Sequence, residues 1–192
     1  MNIVFDHFIA AALVTSFFPL LGFVVEFIVT IAYKIVAKIF GEKFALVLFD
    51  YTTFLGVFHH ELSHALLAIM SGAQVIKVVL FQPKDNRLGY VTFKTRGSAF
   101  ASSIQNTMIA TAPVVCGCIS LHFLFSFLQS QELEKWLVII IWYLIVSIVI
   151  HMSMSTEDFR IMWKGLPVFF FIVLFLVSIL DIRLDYILSL KW

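Results

Sequence analysis

His60-Glu61-Leu62-Ser63-His64 lies in a segment that is otherwise almost wholly apolar, from Phe54-Leu55-Gly56-Val57-Phe58 before it to Ala65-Leu66-Leu67-Ala68-Ile69-Met70 after it. Ionisable side chains in hydrocarbon-like surroundings are costly and usually serve a function. On a helix, residues four apart share a face, so both imidazoles can reach one Zn²⁺. Glu61, beside the first histidine, is placed to hold and deprotonate a water at that ion. The chain must therefore fold so that a polar, water-using site is enclosed by apolar helices.

Composition narrows the setting. Of 192 residues, 61% are hydrophobic and only 13% are charged, about half the charged share of an ordinary soluble domain. That excess of apolar residues is too large for a core and fits several membrane spans. The net charge of +1 gives no reason to expect a nucleic-acid partner. Cys116 and Cys118, the only cysteines, point in different directions at this spacing on a helix, which disfavours a disulfide or a metal site between them. They read as small packing residues.

A spanning helix needs about 20 apolar residues. Residues 8–36 qualify as a first, retained span rather than a cleaved signal, with Pro19 and Gly22 as a kink site. The second runs from about Phe44 or Asp50 to Met70 and carries the motif; Ser71-Gly72 ends it. Residues 75–81 are β-branched, 83–87 form a turn cluster and 88–94 alternate, which predicts a β-hairpin against the membrane surface. Further spans are expected at about 104–128, 136–154 and 166–180, followed by a polar tail with Asp181, Arg183, Asp185 and Lys191. The expected fold is thus an all-α polytopic membrane protein of about five transmembrane helices. A small membrane-associated β-hairpin lies between spans two and three, and residues 1–192 form one domain.

Lys77, Lys84, Arg87, Lys94 and Arg96 surround the hairpin with Asp85 as the one acid, so the positive-inside rule puts that connection in the cytoplasm. Five spans then leave the N-terminus inside and the C-terminus outside, with Lys34, Lys38 and Lys43 as opposing charges. Span parity places Asp158 on the same membrane face as His60 and His64.

The chain resembles the small, minimal branch of the site-2 protease family of intramembrane zinc metalloproteases. The resemblance rests on His60-Glu61-Leu62-Ser63-His64-Ala65-Leu66 with its stop at Ser71-Gly72-Ala73, and on the hairpin through Gly89-Tyr90-Val91. Ala112-Pro113 and Ser155-Thr156-Glu157-Asp158 complete it, so that it covers about residues 50–160. It implies His60, His64 and Asp158 as zinc ligands, Glu61 as the base, and an edge strand within 75–94 that pairs with unwound substrate. The chain departs from the family where many members carry an Asn-Pro-rich stretch before Asp-Gly; here the residues are His151-Met152-Ser153-Met154-Ser155-Thr156-Glu157-Asp158.

The third ligand keeps rivals. Glu157 adjoins Asp158, and His151 lies deeper, as an alternative ligand or an electrophile. Asn106, with Gln105, enters span three where it could donate to a substrate carbonyl. His59 lies about 100° round the helix from His60 and reads as a supporting or lipid-interface residue rather than a ligand; Asp50 reads as a helix-start or interfacial residue, and Glu26 carries no assigned role. The expected activity is hydrolysis of a membrane-anchored protein substrate in the lipid bilayer, in a bacterial cytoplasmic membrane with the site towards the cytoplasm. The alternatives are an inactive relative that sequesters a membrane partner and a zinc carrier. Nothing in the sequence sets the oligomeric state.

Overall fold

The computed structural model describes residues 3–82, 88–130 and 132–182. The turn cluster 83–87 and the tail charges Arg183, Asp185 and Lys191 lie outside the described residues. Six helices and two strands follow one another as α1 (Ile3–Phe40), α2 (Glu42–Leu46), a π-helical turn (Val47–Tyr51), α3 (Phe54–Met70), β1 (Gln74–Val79), β2 (Tyr90–Lys94), α4 (Ala99–Ser130), α5 (Lys135–His151) and α6 (Thr156–Ile179). Three of them, α1, α4 and α6, are long and apolar enough to cross a membrane, while α3 and α5 have 17 residues each.

Large apolar side chains such as Phe23, Phe27 and Ile28 on α1, Phe123 on α4 and Phe171 and Phe175 on α6 point outward. A continuous apolar exterior of this kind suits contact with lipid rather than water. Inside, α1, α4 and the start of α6 meet around Ala110, Val114, Met152, Met154 and Met162, with Leu21 and Val25 packed against them. The approach is close enough that a Cβ at Gly22 would lie 2.8 Å from Met154 Cγ and 2.9 Å from Val114 Cγ2.

Pairs of contacts fix the directions of the helices. Along α4, the Phe125 ring meets Trp142 of α5, Cys118 and Val114 pack near Met152 and Met154, and Gly165 of α6 presses on the Ser103 carbonyl. So α5 and α6 follow one another in the same direction, antiparallel to α4, with a break at 152–155. Along α1, Phe23 meets Phe159 and Phe8 meets Phe170. At the end of the pair, His7 Nε2 lies 3.1 Å from Asp181 Oδ1, so the start of α1 and the end of α6 share one end of the bundle.

This differs from the sequence expectation in two ways. The fourth and fifth apolar segments are end to end, not side by side, and α6 begins at Thr156 rather than near 166. The physical cause is a helix-start signal: Ser155 accepts from the Asp158 N–H while the Asp158 carboxylate accepts from the Ser155 N–H, a reciprocal capping box. The first helix is also longer than expected, and the second segment is interrupted at Thr52-Thr53.

The hairpin is antiparallel, with Gln74 opposite Lys94 and Val79 opposite Tyr90, and a bulge between Val75 and Lys77. Gly72, at φ +80°, lets the chain leave α3: Gly72 N–H donates to Ile69 and Ala73 N–H to Ala68. The strands then run back along α3. Val75 packs on Ala68 near the end of α3, while the Phe81 ring sits 6.1 Å from each of Tyr51, Phe54 and Phe58 near its start.

Candidate metal centre

α3 brings His60 and His64 together through their i, i+4 spacing, with ring centroids 4.7 Å apart and Nε2 atoms 3.1 Å apart. Each ring is held from behind by a main-chain carbonyl: His60 Nδ1 lies 2.6 Å from the His151 oxygen, and His64 Nδ1 lies 2.8 Å from that of Ile109. A carbonyl only accepts, so both Nδ1 atoms carry the proton. In the neutral rings both Nε2 lone pairs are then bare and face one another.

Asp158, in the first turn of α6, supplies a third donor. Its Oδ2 accepts from the Ser155 N–H at 2.9 Å and the Ser155 hydroxyl at 2.6 Å. That leaves Oδ1 free to turn to His64 Nε2, 3.4 Å away. One donor atom from each of His60, His64 and Asp158 lies within 4.8 Å of the others. Two acceptor nitrogens and a carboxylate oxygen, crowded together in a buried site with no proton to share between the rings, repel one another unless a cation sits among them. The group could therefore hold a metal ion.

Glu61 is buried beside this group. The chain entering β2 covers it so closely that a Cβ at Gly89 would lie 2.7 Å from Glu61 Cγ. A cavity of about 520 Å³ opens here, lined by His60, Glu61, His64 and Asp158 and by Tyr90 and Phe93 of β2.

The family model of Peptidase M50B-like proteins matches residues 28–188, an interval that holds every element of this centre. The chain belongs to that family. The assignment agrees with the site-2 protease resemblance carried by the motif and the hairpin. No curated protein and no solved structure gives a significant match.

Within this Peptidase M50B-like chain the other candidates take separate places. His151 is not in the three-residue group; its Nε2 pairs with the Thr53 hydroxyl at 2.9 Å, and only its carbonyl touches a ring of the pair. Glu157 lines the same cavity but is exposed, ion-paired with Arg160 at 3.5 Å and outside the three-residue group. Asn106 does not line the cavity. Gln105 is spent in tying the hairpin base: it accepts from Arg96 N–H and donates to the Ser71 and Arg96 carbonyls. His59 bonds Ser120 across to α4 at 2.9 Å. Asp50 and Glu26 line a separate cavity with Lys34 and His151. Both cysteines are half-buried free thiols.

Sequence reasoning overlooked three participants. Ser155, which orients Asp158, is announced by the Ser-x-x-Asp capping pattern. Ser147 is announced by its place in a polar stripe on α5. Nothing local to the sequence signals Gly89, because its role depends on the hairpin folding back over Glu61.

Proposed function

We propose that the protein is an intramembrane zinc endopeptidase that hydrolyses a peptide bond of a membrane-anchored protein substrate. The observation that carries this reading is the converging set of two bare Nε2 lone pairs and one carboxylate oxygen beside a buried glutamate. Two histidines and an acidic oxygen form a donor set that suits zinc, with a further position left open. Two of the spacings agree, since a tetrahedral zinc with bonds of about 2.0–2.1 Å sets its ligand atoms about 3.3 Å apart, against 3.1 and 3.4 Å here, and all three donor atoms lie within 4.8 Å of one another. Zinc bound by His60, His64 and Asp158 would act as a Lewis acid on the scissile carbonyl and lower the pKa of water from about 15.7 towards 7.

The chain's own residues do the rest. Glu61 takes the proton of the attacking water and passes it to the departing amide nitrogen. Ser155 keeps the Asp158 carboxylate turned to the histidines. A substrate helix must unwind before its backbone can be cut, losing its internal hydrogen bonds. β2 has a strand partner on one side only in the described two-stranded sheet, and its Tyr90 and Val91 line the cavity. A strand added along β2 would restore those bonds.

In the bilayer, we read α5 and α6 as two halves of one discontinuous passage, so that residues 1–192 form one membrane domain of four passages rather than five. An irregular backbone at membrane depth is tolerated where it lines a protein cavity, and here the break at 152–155 borders the metal group.

The test compares wild type with Glu61→Gln, purified in detergent and reconstituted in liposomes, against a panel of single-span substrates. Cleavage by wild type alone, with equal zinc in both, supports the reading. Equal cleavage by both proteins removes Glu61 from the mechanism.

A further inference from the structure

Beyond Lys135 and two tryptophans, the polar side chains of α5 are Tyr143, Ser147 and His151, spaced by four and so aligned on one face of an otherwise aliphatic helix. That face docks on the break that starts α3. Tyr143 Oη donates to the Thr52 carbonyl at 2.9 Å. Ser147, fully buried, donates its hydroxyl to the Thr53 carbonyl and accepts from the Gly56 N–H, each at 2.8 Å. Thr53 is the N-cap of α3 but makes no side-chain cap of its own. The Gly56 N–H of the first turn, which also donates to the Thr53 carbonyl at 2.9 Å, thereby gains a second acceptor from a neighbouring helix. Gly56 makes room for it, since a side chain there would strike the main chain of Ser147.

The stripe ends on His151, the last residue of α5, whose carbonyl has no partner within its own helix. That carbonyl is the one that holds His60. Thr53 donates its hydroxyl proton to Phe49, so it accepts from His151 Nε2–H. His151 is thereby gripped at its ring by the break before α3 and offers its main chain to the ring of His60.

We propose that Thr53 and the His151 imidazole are positioning residues for the metal ligand His60: they act by fixing the His151 carbonyl, and His151 itself is not a ligand. The inference rests on the metal-centre reading above and deepens it. An outer partner that sets ring orientation and tautomer typically changes metal affinity about 10–100-fold.

The test uses the full chain in detergent and measures zinc dissociation constants by chelator competition, the Co²⁺ absorption spectrum and the thermal midpoint. Thr53→Val and His151→Phe are each expected to weaken zinc binding about 10–100-fold and to shift the cobalt spectrum. Thr53→Ser restores both, because it keeps the hydroxyl. His151→Phe keeps the main-chain carbonyl, so a loss there reports the grip on the ring. Wild-type affinity and an unshifted cobalt spectrum in both variants overturn the positioning role. If one variant fails to fold, the other and the serine rescue still decide. If wild type itself binds no zinc, the metal-centre reading fails first, and the positioning role goes with it.

Discussion

Gly89→Ala tests how the hairpin serves the catalytic group. Gly89 is not in the left-handed region, so alanine meets no backbone penalty and the effect is one of space alone. The new Cβ would lie 2.7 Å from Glu61 Cγ, 2.8 Å from the Val79 oxygen and 3.0 Å from the Leu80 oxygen. Ordinary carbon contacts are about 3.5–4.0 Å, so the overlap with Glu61 is about 1 Å. The two oxygens belong to the opposing strand and its continuation and cannot retreat without disturbing the ladder; Glu61 is the group that gives way. A misplacement of about 1 Å at a reacting group costs about 100-fold in rate, or about 2.7 kcal/mol in the barrier. Overpacking adds about 1–3 kcal/mol to the folding balance. His60 and His64 are not among the atoms struck, so zinc content is expected to stay at the wild-type level. The assay is kcat per bound zinc on any single-span substrate the wild type cuts. A variant with full zinc and unchanged kcat refutes the view that β2 presses on the base.

Ser155→Ala removes the hydroxyl that caps α6 and holds Asp158 Oδ2; it is expected to lower stability by about 1 kcal/mol and to weaken zinc binding by about 10-fold, read by thermal unfolding and chelator competition. Unchanged zinc affinity there means that the capping box does not orient the ligand. Reporter fusions at the two termini are expected to mark the same membrane face, as an even number of passages requires; opposite faces contradict the end-to-end arrangement of α5 and α6.

The motif histidines were legible because i, i+4 spacing on a helix fixes a shared face whatever surrounds it. The hairpin strands were legible from β-branching and alternation, although the residues say nothing of depth: the position of Phe81 among Tyr51, Phe54 and Phe58 comes from packing. Hydropathy placed the apolar segments yet could not tell whether the segment ending at His151 reverses or continues. The decision lies in Ser155 and Asp158, whose reciprocal bonds restart a helix at once instead of allowing a loop. Asp158 came from family resemblance, not from spacing, since its approach to His64 depends on that restart. The stripe of Tyr143, Ser147 and His151 was written in the sequence at period four, but its meaning needed the break at Thr53 opposite it.

The most direct measurement is the zinc content and affinity of purified wild type beside Asp158→Ala. About one zinc per chain in the wild type, lost or greatly weakened in Asp158→Ala, is the expected result. No zinc in the wild type, or zinc held equally tightly without the Asp158 carboxylate, would contradict the centre described here.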